Sequence, residues 1–155
     1  MSMPTCRQLT LALVAVLSTT GLPVPAQSTN KSTMTSSALA WNSLAVKTNA
    51  TGSSRKFFEG PTPTLDLLEC HASTLNPGAT NHVILERPDD EVIIVKEGAI
   101  EAFVKDQWIR VGPGSVIYNA PNVPQAMRNV GDVPATYHVI IIRAAAPKST
   151  SEKQP

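Results

Sequence analysis

HVILERPDDEVIIVKEG, His82 to Gly98, is the stretch whose reading decides the fold. An apolar run leads into a proline-containing acidic turn, and a second apolar run follows and ends at a glycine. In DEVIIVKEG, Glu91, Ile93 and Val95 share one face, and Val92, Ile94 and Lys96 share the other. Period-two alternation of this kind marks a strand between two different environments. Gly98, just before AIEAF, predicts a hairpin with that glycine in the left-handed region. Glu91 is the odd member of its face, a carboxyl beside two aliphatic residues.

The same texture extends outward. TLDLLECHASTL, HVILE, AIEAFVKD, QWIRVG, GSVIYNA, QAMRNV and ATYHVIIIR are short and rich in β-branched or aromatic residues. NPGATN, RPDD, KDQ, GPG, APNVP and GDVP between them carry turn chemistry. No stretch holds a helical period, and 13 prolines with 8 glycines favour turns over long helices. Many short strands at regular spacing predict an all-β sandwich or barrel. A chain of 155 residues with 42% hydrophobic content fits one domain with one core. A net charge of +1 supplies no field to draw nucleic acid.

The ends read differently. Arg7, the apolar run LTLALVAVL and the small residues Val24 and Ala26 have the layout of a secretory signal over 1–26. The run is too short to span a membrane, which takes about 20 residues. Export to the periplasm or the cell exterior is therefore expected, with no membrane attachment after cleavage. Residues 27–40 are Ser/Thr-rich and read as a flexible tether, the barrel is expected over 41–145, and 146–155 reads as a polar tail. Cleavage would leave Cys70 as a single thiol, unable to form a disulfide within the chain. Its apolar setting, TLDLLECHASTL, favours a buried small hydrophobe over a reactive group.

Residues 77–129 resemble the cupin family of small jelly-roll β-barrels. The first family motif has a glycine, two histidines, an acid and a closing glycine. Here Gly78 opens it, Glu91 holds the acid position and Gly98 closes it. The second motif runs from Gly114 to Asn129, with Ala120 for its proline, Asn122 for its glycine and Gln125 for its histidine. Asn is a suitable glycine substitute because it tolerates the left-handed region. LNPG, RPDDE, IVKEG, GPGSVIY and RNVGDVPATY also resemble small exported bacterial single-domain cupins. The resemblance implies an all-β, single-domain cupin-type jelly-roll barrel with core motifs over 75–143. It also implies a homodimer, with AWNSLAVK as a candidate edge or exchanged strand.

The resemblance further implies a metal held by three histidines and the acid, and here this sequence departs. The first two histidine positions fall on Leu85 and Arg87, or on Ile84 and Glu86 in the other register, and the RPDDE match favours the first; the third falls on Gln125, so only Glu91 remains. Divalent transition metals prefer imidazole or thiolate ligands, usually three or more from protein. No cofactor is expected on this reading. A buried Glu91 without a cation would cost several kcal/mol unless paired. Arg87 is the expected partner and Gln125 a third polar group; the competing expectation turns Arg87 outward with Glu91 partly solvated. A remodelled metal site would draw on His82. Alternation alone does not set the register that would place His71 and His138.

Three function classes follow. The first is a metal-free module binding a small polar or anionic molecule through Arg87, Glu91, Gln125 and His82. The second is a metal-dependent cupin enzyme with an atypical ligand set, of dioxygenase or isomerase type. The third is a filled structural barrel. No catalytic residue is assigned. GPG at 112–114 is too short for a phosphate loop, Ser115 lacks a His–Asp arrangement, and Asp89 and Asp90 read as a solvated turn.

Overall fold

The computed structural model describes residues 32–146. A single 3-10 turn, Trp41–Ser43, precedes the strands. In chain order these are β1 (Val46–Asn49), β2 (Gly52–Gly60), β3 (Leu65–Leu75), β4 (Asp90–Glu97), β5 (Ile100–Val104), β6 (Gln107–Val111), β7 (Val116–Asn119), β8 (Ala126–Asn129) and β9 (Ala135–Ala144). They form a six-stranded sheet, β1-β2-β3-β9-β4-β7, and a three-stranded sheet, β6-β5-β8. All pairings between these strands are antiparallel. The all-β, single-domain jelly-roll expectation is met. The signal over 1–26 and most of the tail lie outside the described residues, as does the first part of the tether. Within 32–40, the Met34 amide donates to the Pro61 carbonyl at 2.8 Å.

Residues opposite one another in antiparallel strands share a face, so the register sets what the large sheet turns inward. One row runs Ser54, Ser73, Tyr137, Val95. The next runs Lys56, His71, Val139, Ile93, Ile117. A third runs Glu59, Glu69, Ile141, Glu91, Asn119. The rows change character along their length. On β9, β4 and β7 they are mainly apolar, and Ile93, Val95, Tyr137 and Val139 are buried. There they pack with Ile100, Ala102 and Met127 of the small sheet as the core. On β3, β2 and β1 they are polar. The alternation expected for β4 and β9 holds: Glu91, Ile93 and Val95 face in together, as do Tyr137, Val139 and Ile141.

Turn chemistry follows the sequence. Gly98 has φ +74°, and a Cβ there would lie 2.7 Å from the Ala135 Cα. Only glycine fits that hairpin. Lys105 and Asp106 both have positive φ, the requirement of a two-residue turn that follows strand twist. Asn122 has φ 56°, as expected of a glycine substitute.

Three readings need correction. HVILE is not a strand. Thr80 bridges Arg128 and Leu85 bridges Gln125, so five steps along one side face three along the other. The two surplus residues break the ladder and push the loop out, leaving Val83 80% exposed. GSSRKFFEG, not expected as a strand, forms β2 because β1 and β3 pair with it on both sides. The acidic turn is pinned rather than solvated. Arg143 grips Asp89 with two hydrogen bonds at 2.7 and 2.8 Å, and the Tyr118 hydroxyl donates to Asp90 at 2.6 Å. AWNSLAVK supplies the 3-10 turn and the start of β1, which is an edge strand.

Candidate functional site

β4 carries Glu91 inward because Ile93 and Val95 on the same face are drawn into the core. Glu91 is only 7% exposed. Its Oε2 is buried and has no hydrogen-bond partner among the described residues. A buried carboxylate without a partner is costly, several kcal/mol in order of magnitude. Glu91 borders a pocket of about 330 Å³ that also has Glu69, His71, His82, Arg87 and Tyr137 in its lining.

β3, two strands away in the same sheet, contributes more of the lining. Glu69, His71 and Ser73 alternate along one face of the strand. His71 Nδ1 lies 3.1 Å from Glu69 Oε1. A carboxylate oxygen accepts, so Nδ1 carries the proton and Nε2 is the remaining ring nitrogen. Burial raises the Tyr137 hydroxyl well above the usual phenol range, opposed by a hydrogen bond with Ser73. Tyr137 therefore stays protonated.

The loop before β4 supplies the rim. His82 Nδ1 donates to the Val83 carbonyl at 2.7 Å, and the His82 amide donates to Asn81 Oδ1 at 2.9 Å. The same Asn81 oxygen accepts from the Met127 amide at 2.8 Å, which ties the loop to β8. Arg87 is exposed, and its carbonyl accepts from the Asn122 amide at 2.6 Å.

The structure does not gather Arg87, Glu91 and Gln125 into the expected cluster. Arg87, Glu91 and His82 border one pocket, but no ion pair joins Arg87 to Glu91 among the described residues. Arg87 sits at the rim because the pinned turn holds its backbone outside the sheet. Gln125 is 3% exposed and not part of the pocket lining; its Nε2 is a second buried atom without a partner among the described residues. The backbone bridge to Leu85 holds Gln125 in place.

Sequence reasoning passed over Glu69 and left His71 unplaced. The available signal was the polar alternation within ECHAS, where a core-facing strand would carry apolar residues. His138 points to the other face. It packs against Phe57 at 5.6 Å and Trp41 at 6.2 Å.

The residues at the family's ligand positions do not fit a divalent transition metal. Leu85 offers no donor, Arg87 is a cation, and Glu91 with Gln125 gives one carboxyl and one amide. Among the described residues, no group of three or more His, Cys, Asp or Glu is placed to hold a metal ion.

Comparison with known proteins bears on the fold. Residues 72–141 match the family model described as Cupin domain, Cupin_2. No curated protein matches the sequence. The chain is similar to an RmlC-like cupin from Shewanella frigidimarina, at 14% identity and TM-score 0.58, covering 74% of this chain and 94% of that one. It is also similar to a sugar phosphate isomerase from a cupin superfamily from Silicibacter pomeroyi, at 19% identity and TM-score 0.54, over 70% and 76% of the two chains. A third similar structure is the polyketide cyclase RemF from Streptomyces resistomycificus, at 13% identity and TM-score 0.57, over 74% and 89%. Likeness at these identities speaks to the fold alone.

Proposed function

Given that the chain belongs to the cupin superfamily, we propose that its barrel binds a small polar molecule in the pocket between Glu91 and His71, without a resident metal. One observation carries this reading: the buried Glu91 oxygen without a partner, on the border of a pocket of about 330 Å³. A ligand hydroxyl or amine donating to Glu91 would satisfy that oxygen. An acidic group on the same ligand would meet Arg87 at the rim, where a guanidinium matches a carboxylate. The Nε2 atoms of His71 and His82 add hydrogen-bonding positions. The ligand class is a small hydroxy acid or sugar acid. Export through the N-terminal signal and pairing into a homodimer belong to the same proposal.

The test is a thermal-shift series on the protein with hydroxy acids and sugar acids, run beside Mn, Fe, Ni, Cu and Zn. Metal content is measured on protein purified without chelator. We expect stabilisation by an acid, lost in Arg87→Ala, and no bound metal. Near-stoichiometric metal whose stabilising effect disappears in Glu91→Ala would overturn the reading.

A further inference from the structure

The large sheet has six strands and the small sheet three, so the small sheet cannot cover the whole inner face. Among the described residues, the part the small sheet leaves uncovered is β1, β2 and the adjoining half of β3, where the rows turn polar. A second cavity of about 380 Å³ lies over these strands. Its lining includes Glu69, His71, Ser73, Asn81 and Tyr137, which also line the Glu91 pocket. The two adjoin along these shared residues, His71 and Glu69 among them, as the two parts of one proposed groove. Between β1 and β4 lie four strand spacings of about 4.8 Å each, or about 19 Å.

We propose that this groove binds a linear, acidic sugar chain, with the Glu91 pocket holding one end unit; the proposal rests on the small-molecule reading above. Cationic side chains are spread along its length rather than gathered at one end. Arg87 stands at the inner end, and Lys56 and Lys47 at the outer end. Lys56 is ion-paired with Glu59, and this hydrogen bond raises its ammonium above the ordinary lysine range, so its charge persists at neutral pH. Ser54 and Ser73 lie between the cations, and each hydroxyl can both donate and accept. Glu69 and Glu91, when ionised, accept and do not donate. A sugar chain offers hydroxyls that donate and accept at every unit, with a carboxylate at intervals, and so matches both sets. An extended peptide would instead add to the free edge of β1, where backbone hydrogen bonds are available.

The test is calorimetric titration of the protein with mono-, di- and tetragalacturonate, and with tetraglutamate. We expect affinity to rise about tenfold or more from the monomer to the tetramer, and tetraglutamate to bind more weakly than tetragalacturonate. The double variant Lys47→Ala/Lys56→Ala, both exposed positions, should return the tetramer to the monomer's affinity and leave the monomer unchanged. Equal affinity at all lengths would overturn the extended groove while leaving the inner pocket standing. A length gain that survives the double variant would overturn the assignment of the lysines. Tetraglutamate binding as tightly as tetragalacturonate would overturn the sugar class. Failure of every galacturonate to bind would overturn the whole proposal, while the panel of small acids judges the inner pocket separately.

Discussion

Glu69 and Glu91 lie in one row of the large sheet, on either side of Ile141, which pairs with both. Their surroundings differ. Glu69 is held by His71 at 3.1 Å, whereas Glu91 Oε2 has no partner among the described residues. Two carboxyls about two strand spacings apart are thus supported on one side only. That asymmetry makes Glu91 the group that stands to gain from a ligand.

Glu91→Leu should therefore stabilise the ligand-free protein, by about 1 kcal/mol or more, because an apolar isostere removes a buried polar group without a partner. The same variant should lose ligand binding. Calorimetric unfolding without ligand checks the first part. A clear fall in melting temperature would mean that Glu91 has a structural partner.

Stability should fall on mild acidification through His138. Burial lowers its pKa below the ordinary value of 6.5, and the nearby Lys96 ammonium lowers it further. The aromatic rings of Trp41 and Phe57 also pack against it. The folded state thus favours the neutral ring, and the unfolded chain takes up a proton first. The stabilising contribution is complete above the unfolded value and is lost as pH falls through the folded one. Urea midpoints should hold steady above about pH 7 and drop below the ordinary histidine range. In His138→Phe this component of the drop should vanish.

Asn129 closes the second family motif, and its role is structural. It is 1% exposed. Its Nδ2 donates to the Leu75 and Val133 carbonyls at 3.0 and 2.8 Å, and its Oδ1 accepts from the Gly131 amide at 2.9 Å. Asn129→Ala removes all three bonds and strands buried backbone groups, at a cost of about 3 kcal/mol. Urea unfolding at an unchanged m-value would measure it. A cost near zero would mean that water replaces the amide.

Cys70 should react slowly. Burial raises its thiol pKa above the ordinary cysteine value, and the neighbouring Glu69 adds to the shift. Only the thiolate is nucleophilic. Alkylation by iodoacetamide near pH 8 should be much slower in the folded protein than in urea. Equal rates would show a thiol already open to solvent.

Local chemistry made much of the barrel legible. Gly98 and Asn122 announced left-handed turns because few other residues tolerate that backbone. Period two in β4 and β9 announced which side chains face in, because a strand has only two faces. Glu91 was readable as an inward acid for the same reason. β2 was not readable, since GSSRKFFEG has no clean alternation and becomes a strand only between two partners. HVILE looked like a strand and became a bulged loop, because the lengths between its bridges to β8 do not match.

By itself, then, the sequence determined the fold class and the inward carboxyl, and it set Leu85, Arg87 and Gln125 where the resemblance implies histidines. Each of these depends on the identity of one residue or on its spacing from near neighbours. Tertiary structure alone decided that Glu69 and His71 join Glu91 at one pocket, that Arg87 stays at the rim, and that a second cavity toward β1 shares part of that lining. Those facts depend on cross-strand register and on three strands facing six. Both are set by pairings between residues far apart in the chain, which no local pattern encodes.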